Sequence, residues 1–485
     1  MSIKMNFIFS FLLTGSNLLF PLLTFPYLSR ILGAEGLGIC NFIMSYGQNY
    51  IIIAALGMPV YATREIAKMG DDKAKRSKLF FELLSIHLIF TLILLVIYIG
   101  SIFMLSDFKN YKNLALLGGS FIVFNVFSIE WLFSGVNDFK YITIRSLFIR
   151  ALSIIAIFLL VKKKDDFTIY FIILICTVFF TVLVDVYNAR KFISREINLS
   201  FKGILTHVKP FFILGIYMVL TSIYSVLPAT LLGFLSTKFA VGYYYGANRI
   251  IRMIISVFTS LTTVLIPRLN LTIEEKGKEE YILLVNKALS VVVSFGVPIS
   301  FLVFLLANPI VMLLAGKNFV NSILVIQIMS PVVLIVAFAQ VFVMLILSVH
   351  RKDNAMVILS IIGMTISLFI NILFIPQFAE KATAFSQLAA EFLVTFVSFI
   401  LARRVFKFNF PVKTFLLNVF FVLPFSIITY FSFKLLHNNF LIIVSTSICC
   451  GFYFLLYQLF IIKDEFIMKL SESYLTFFNK LKMQY

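Results

Sequence analysis

Two arginines, Arg249 and Arg252, sit three residues apart inside an apolar stretch that runs from about residue 240 to 266. On a helix that spacing puts both guanidinium groups on one face. If the stretch crosses a membrane from an outer end near Ala240, the two lie ~14 and ~18 Å deep at 1.5 Å per residue. Charge at that depth is expensive and has to face protein, water or a ligand. Asn248 and the Tyr243-Tyr244-Tyr245 cluster lie just above the pair. No adjacent acid neutralises both cations, so the pair is suited to facing an anion. Arg150, midway along its own stretch, and Arg30, at the end of the first, add two further cations. Asn41, Ser45, Gln48 and Asn49 project from a limited arc of one helix and form a polar stripe. Hydrogen bonding between helices accounts for such a stripe as well as a ligand does. Acids within apolar stretches include Glu130, Asp185 and Glu391. Asp185 and Glu391 are expected to pair with an arginine and pin helix against helix. Together the arginines and the stripe describe a hydrated, cationic, hydrogen-bonding cavity, which suits a substrate that carries phosphate and sugar.

Lipid is the medium that such residues imply, and the whole chain supports it. Hydrophobic residues make up 61% and charged ones 13% of the 485 residues, and the mean hydropathy is +1.02. Fourteen apolar stretches follow one another, each near the ~20 residues that a transmembrane helix needs. They lie at about 8–32, 38–62, 79–105, 114–136, 142–161, 168–188, 210–235, 240–266, 288–314, 322–348, 356–376, 382–402, 412–436 and 440–462. Backbone groups in hydrocarbon must be satisfied within each segment, so the expected fold is an all-α polytopic membrane protein. The longest polar breaks, at 63–78, 189–209 and 267–287, are too short for an extramembrane domain. The turn that ends in Gly38 after the first stretch is echoed by the turn that ends in Gly242 after the seventh. Both follow a helix with proline in its outer part, Pro21 and Pro26 in one and Pro228 in the other. Internal repeats of this kind are common in transporters.

Charge distribution adds orientation and excludes several classes. With alternate breaks assigned to alternate sides, one side holds 28 of the 41 lysines and arginines and the other 10. The positive-inside rule then places both termini in the cytoplasm, and Lys162-Lys163-Lys164 is the one local violation. The net charge of +19 is thus explained by orientation, and nucleic acid is not an expected partner. The four cysteines, Cys40, Cys176, Cys449 and Cys450, lack metal-ligand spacing and read as small hydrophobes. His87, His207, His350 and His437 are scattered, and no Gly-rich nucleotide loop occurs. No metal, no cofactor and no catalytic constellation is expected, hence no enzyme.

The stretch Phe25-Pro26-Tyr27-Leu28-Ser29-Arg30-Ile31-Leu32-Gly33-Ala34-Glu35-Gly36-Leu37-Gly38 resembles the span 1–2 signature of bacterial polysaccharide-unit flippases. So does the run from Gly57-Met58-Pro59 to Arg64-Glu65-Ile66-Ala67. On these motifs the chain is similar to Wzx-type O-antigen repeat-unit flippases of the multidrug/oligosaccharidyl-lipid/polysaccharide exporter superfamily. The resemblance implies two six-helix bundles, 1–190 and 210–402, around a central cavity, two added helices at 412–462, and a cytoplasmic tail at 463–485. It implies transfer of an undecaprenyl-diphosphate-linked unit across the bacterial inner membrane by alternating access. The partners it implies are the lipid-linked oligosaccharide and membrane lipid, and it allows a polysaccharide polymerase and a chain-length regulator. The related lipid II flippase keeps arginines in spans 1, 2 and 8; Arg30 and Arg249/Arg252 match spans 1 and 8, and span 2 here has none. The alternative is a cation-coupled multidrug exporter of the same superfamily, whose cavity should be lined with acids.

Overall fold

The structure, a computed structural model, describes residues 3–194, 201–275, 277–463 and Met468. Apart from Lys463 and Met468, the expected tail lies outside the described residues. The described chain is helical: α1 (Ile3–Ala55), α2 (Met58–Lys68), α3 (Lys73–Met104), α4 (Lys112–Val126), α5 (Glu130–Gly135), α6 (Phe139–Leu160), α7 (Phe167–Ala189) and α8 (Phe201–Leu235) come first. Then follow α9 (Lys238–Glu275), α10 (Lys278–Leu305), α11 (Ala307–Leu314), α12 (Ser322–Ala339), α13 (Asp353–Val405), α14 (Val412–Phe421), α15 (Phe425–Leu435) and α16 (Asn439–Tyr457). Among the described residues ten helical segments are long and apolar enough to cross a membrane. Two of them, those that contain Gly33 and Ala379, are each a pair of crossings joined at a kink. With α8 and α9 added, this makes the fourteen crossings of the expected all-α polytopic fold.

The joints differ from the expected loops. At 1.5 Å per residue the 53 residues of α1 span ~80 Å, far more than the ~30 Å of hydrocarbon. The break between the first two crossings is therefore not a polar turn over 33–37 but one residue, Gly33, at φ 67° and ψ −175°. Only glycine occupies that region without strain. The eleventh and twelfth crossings likewise join at Ala379, at φ 46° and ψ −125°, with no loop. Conversely, the expected span 114–136 is interrupted at 127–129, between α4 and α5, and the span 412–436 is interrupted before Phe425, where Pro424 opens α15. The expected polar break at 63–78 is mostly helix: Gly57, at φ 81°, ends the second crossing, Pro59 follows in the first turn of α2, and α3 begins at Lys73. Asp72 caps α3 by accepting from Lys75 N–H at 3.0 Å, and that bond, with the Lys75 charge beside it, holds its carboxyl below the usual carboxylate range.

The chain forms two compact units. The first comprises Met1–Tyr245 with Asn371–Ala379, and the second Gly246–Ile370 with Glu380–Tyr485. In the first, α1 is the central element and packs against α8, α6, α4 and α3. An apolar cluster of Met58, Tyr61, Ile66, Leu79, Phe80, Leu83, Trp131, Phe133 and Phe211 ties α2, α3, α5 and α8 together. A second, aromatic cluster stacks Phe42, Tyr46, Phe108 and Phe234. In the second unit α10 packs against α12 and α14, and Val297, Val422, Phe425, Cys450, Phe454 and Tyr457 form the seam to α15 and α16. Inside that seam Asn418 accepts from Tyr457 Oη at 3.2 Å and Gln458 Nε2 at 2.7 Å. Cys40 and Cys450 are buried, Cys176 and Cys449 exposed, and all four are free.

The Gly33 joint yields a direct test. Gly33→Ala should lower the thermal midpoint of the purified chain by the equivalent of about 1–3 kcal/mol, and Ala379→Gly should not lower it, because it relieves the opposite strain. An unchanged midpoint for Gly33→Ala would remove the single-residue joint.

Candidate functional site

In the second unit, α9 presents the arginine pair. The Arg252 side chain is exposed, and its Nε donates to Asn248 Oδ1 one turn earlier at 3.2 Å. That bond uses one of five guanidinium donors. Glu391 on α13 lies close enough for the Arg252 charge to act on it, yet no ion pair closes on Arg252 among the described residues. Arg249 is half-buried on the same helix. An exposed guanidinium, oriented by an amide and not paired with an acid, offers donors to an anion.

The remaining proposed site residues lie in the first unit. Arg30 is exposed in the last turn before Gly33, and its Nη1 donates to the Pro26 carbonyl at 2.8 Å. Arg150, half-buried, donates from Nη1 to Ser16 Oγ at 2.6 Å. The polar stripe does not behave as one surface. Asn41 is buried and donates to the Leu37 carbonyl at 2.6 Å within its own helix. Asn49 donates to the Ser45 carbonyl and to Thr230 Oγ1 on α8, both at 2.8 Å. Gln48 is exposed. Asn49 is thus an interhelical bond, and Asn41 satisfies its own turn.

The acids are organised by a residue outside the proposed site, Arg145 on α6. Its guanidinium grips both carboxylate oxygens of Asp185 on α7, and its Nη2 reaches Glu130 on α5 at 2.7 Å. Tyr141 adds a hydroxyl bond to Asp185 at 2.9 Å. Asp185 is fully buried, Arg145 3% exposed, and Glu130 about half exposed. Depth carried the missing signal: Arg145 lies six residues into α6 and Asp185 four residues from the end of antiparallel α7, so they are ~9 and ~6 Å from the same edge. Sequence reading also passed over a contact of Glu82 with His207 at 3.3 Å. The basic run Lys162-Lys163-Lys164 is locally compensated. Asp166 accepts from the Lys162 and Lys163 amides at 2.7 and 2.8 Å, and Lys164 pairs with Glu35 at 3.1 Å.

The two Gly-ended turns that echo each other in sequence meet within the first unit. A Cβ on Gly38 would lie 1.8 Å from the Lys238 carbonyl oxygen, and one on Gly242 would lie 1.9 Å from that of Ala34. The contact is reciprocal, with an i, i+4 pair from each helix, as small residues permit between membrane helices. Lys238 caps it, its Nζ 3.6 Å from the Phe42 ring centre and 2.6 Å from the Gly233 carbonyl.

Fold and residues together define a many-span helical membrane protein, and the fold is one that solved membrane proteins share. A lipid II flippase in its inward closed conformation superimposes with a TM-score of 0.77 at 14% identity, over 94% of this chain and 99% of that one. An inward-facing multidrug exporter of the MATE family gives 0.63 at 13% identity, over 79% and 94%. Residues 3–272 match the model of the polysaccharide biosynthesis protein family, and the chain belongs to that family. It is 26% identical over 405 residues to a protein of Escherichia coli (strain K12) named as a candidate O-antigen transporter, covering 83% of this chain and 97% of that protein. A Shigella dysenteriae protein of the same name is 24% identical over 273 residues, 55% of this chain and 67% of that protein.

Arg145 is expected to be structural. Arg145→Met leaves Asp185 charged and buried, and should destabilise the purified chain by about 3–5 kcal/mol. Arg145→Met with Asp185→Leu should recover most of that loss, because the pair is then replaced by apolar volume. A thermal melt in which the double variant is no better than the single one would overturn this assignment.

Proposed function

We propose that this protein is a flippase that carries a lipid-linked O-antigen repeat unit from the cytoplasmic to the outer leaflet of the inner membrane. The unit is an oligosaccharide on undecaprenyl diphosphate. The observation that carries the reading is Arg252, an exposed guanidinium on a membrane-length helix, oriented by Asn248 at 3.2 Å and not closed by an ion pair among the described residues. Family membership and the O-antigen name borne by the relative from E. coli support the same reading. A diphosphate that crosses ~30 Å of hydrocarbon loses its water, and charge-assisted hydrogen bonds from arginine replace it. The Arg249 and Arg252 side chains would hold the diphosphate, with Arg30, Arg150 and Gln48 available to the substrate at other points of its passage.

Rocking of 1–190 against 210–402 would expose the site to each side in turn, with 412–462 alongside, and the polyprenyl tail would remain in lipid. The protein performs transport and no covalent chemistry in this reading, and both termini face the cytoplasm. Reporter fusions at Lys75, Lys202 and Lys278 should then report cytoplasm, and fusions at Lys109, Lys317 and Asn438 the outside; two or more on the wrong side would overturn the topology.

Arginine replacement tests the site itself. Arg249→Ala and Arg252→Ala should cut surface O-antigen at least tenfold at unchanged protein level, since bonds to charged groups are worth about 1.5–3 kcal/mol each. Lysine should rescue in part, because it restores charge without the planar fork, and glutamate should be worse than alanine. Normal surface polysaccharide in the double alanine variant would show that the pair holds no substrate.

A further inference from the structure

Tyr61 on α2, Glu82 on α3 and His207 on α8 form a polar chain that the anion site does not use. Tyr61 Oη lies 2.7 Å from His207 Nδ1, and His207 Nε2 lies 3.3 Å from Glu82 Oε2. Their surroundings are apolar, with Leu79, Phe80, Leu83, Trp131 and Phe211 in the same cluster. The Glu82 side chain is 5% exposed and that of His207 18%. Glu82 Oε1 is buried and accepts no hydrogen bond from the described residues. Gly203 on α8 makes room for it, since a Cβ there would lie 2.0 Å from Oε1.

With His207 neutral, this cluster holds an uncompensated carboxylate away from water, the costliest state for an acid. One proton removes the net charge, either on Glu82 or on His207 to give an imidazolium beside the carboxylate. Tyr61 fits both states, because its hydroxyl donates to a neutral Nδ1 and accepts from a protonated one. Charged or titratable residues with described side chains on the elements packed around it are Arg64, Glu65 and Lys68 on α2, Lys73, Lys75, Arg76, Lys78 and His87 on α3, Glu130 on α5 and Lys209 on α8. Glu65 is taken by Lys68 at 2.6 Å, and Arg76 by the carbonyls of Phe192 and Gly70.

We infer that Glu82 and His207 form a binding site for a single proton, which fastens α8 to α3 when occupied. Without the proton, the buried carboxylate favours opening of the α3–α8 contact, so that water reaches Oε1. The site stands on its own geometry; its use, proton uptake coupled to the transport cycle, rests on the flippase reading.

Trp131, the one tryptophan of the chain, reports on this cluster, with its ring 5.4 Å from that of Phe80. The experiment is a fluorescence titration of the full chain in lipid nanodiscs, from about pH 5 to about pH 8.5, with His87, His350 and His437 replaced by Gln. A single one-proton transition is expected within this range. Glu82→Gln and His207→Gln should each reduce its amplitude at least tenfold, and Tyr61→Phe should keep the amplitude and move the midpoint. A flat titration before either replacement overturns the site, and so does a transition that survives both with its midpoint unmoved. No substrate is needed, so this outcome is independent of the surface-polysaccharide assay on Arg249 and Arg252. A sound titration beside a failed polysaccharide result would reject the flippase reading alone.

Discussion

An ion in hydrocarbon has to be paired, hydrated or bound, and this constraint accounts for the surroundings of Arg30, Arg145, Arg150 and Arg252. Arg145 shows the paired solution, with two acids on it and Tyr141 donating to one of them. Arg150 is half-buried and turns to the Ser16 hydroxyl. Arg30 stays exposed and settles on the Pro26 carbonyl at the end of a half-helix. Arg252 follows none of these routes to completion: one amide orients it, Glu391 acts on it only at a distance, and its side chain is open. A structural cation gains from closing its ion pair. One that must bind and release an anion works only if that pair stays open.

The same constraint explains why the crossings were legible in the sequence and their joints were not. Length and apolarity count crossings directly, because backbone satisfaction in lipid allows only helix. A joint adds no polarity when a single residue makes it, and hydropathy is blind to Gly33 at φ 67° and Ala379 at φ 46°. Interruptions inside spans, such as that between α4 and α5, are hidden for the same reason: their residues stay as apolar as the helices they break. At the candidate site the residue types were legible and the pairings were not. Asn41 and Asn49 read as one stripe by periodicity, yet Asn41 serves its own turn and Asn49 reaches Thr230, 181 positions away. Arg145 reads like Arg150 in sequence and differs only because Asp185 arrives at the same depth on a neighbouring helix.

The resemblance between the two Gly-ended turns gains a physical meaning from the reciprocal approach of Gly38 and Gly242. Each glycine lies against the backbone of the other helix, so neither can carry a side chain without separating the pair. In lipid no hydrophobic drive holds two helices together, and close backbone contact between small residues is a main source of attraction. Lys238 closes the contact at its rim, with its ammonium over the Phe42 ring face.

In the proposed scheme the anion and the proton are bound by different residues, and electrostatics favours that division. A buried carboxylate such as Glu82 beside Arg252 would close an ion pair and remove the guanidinium from use. Placed instead in the α2–α3–α8 cluster, it meets His207 and Tyr61, partners that carry no fixed charge. The guanidinium donors then stay free for an anion, while the proton is proposed to bind elsewhere. A single mixed site would couple the two, because protonating the carboxylate would release the arginine and make anion binding depend on pH.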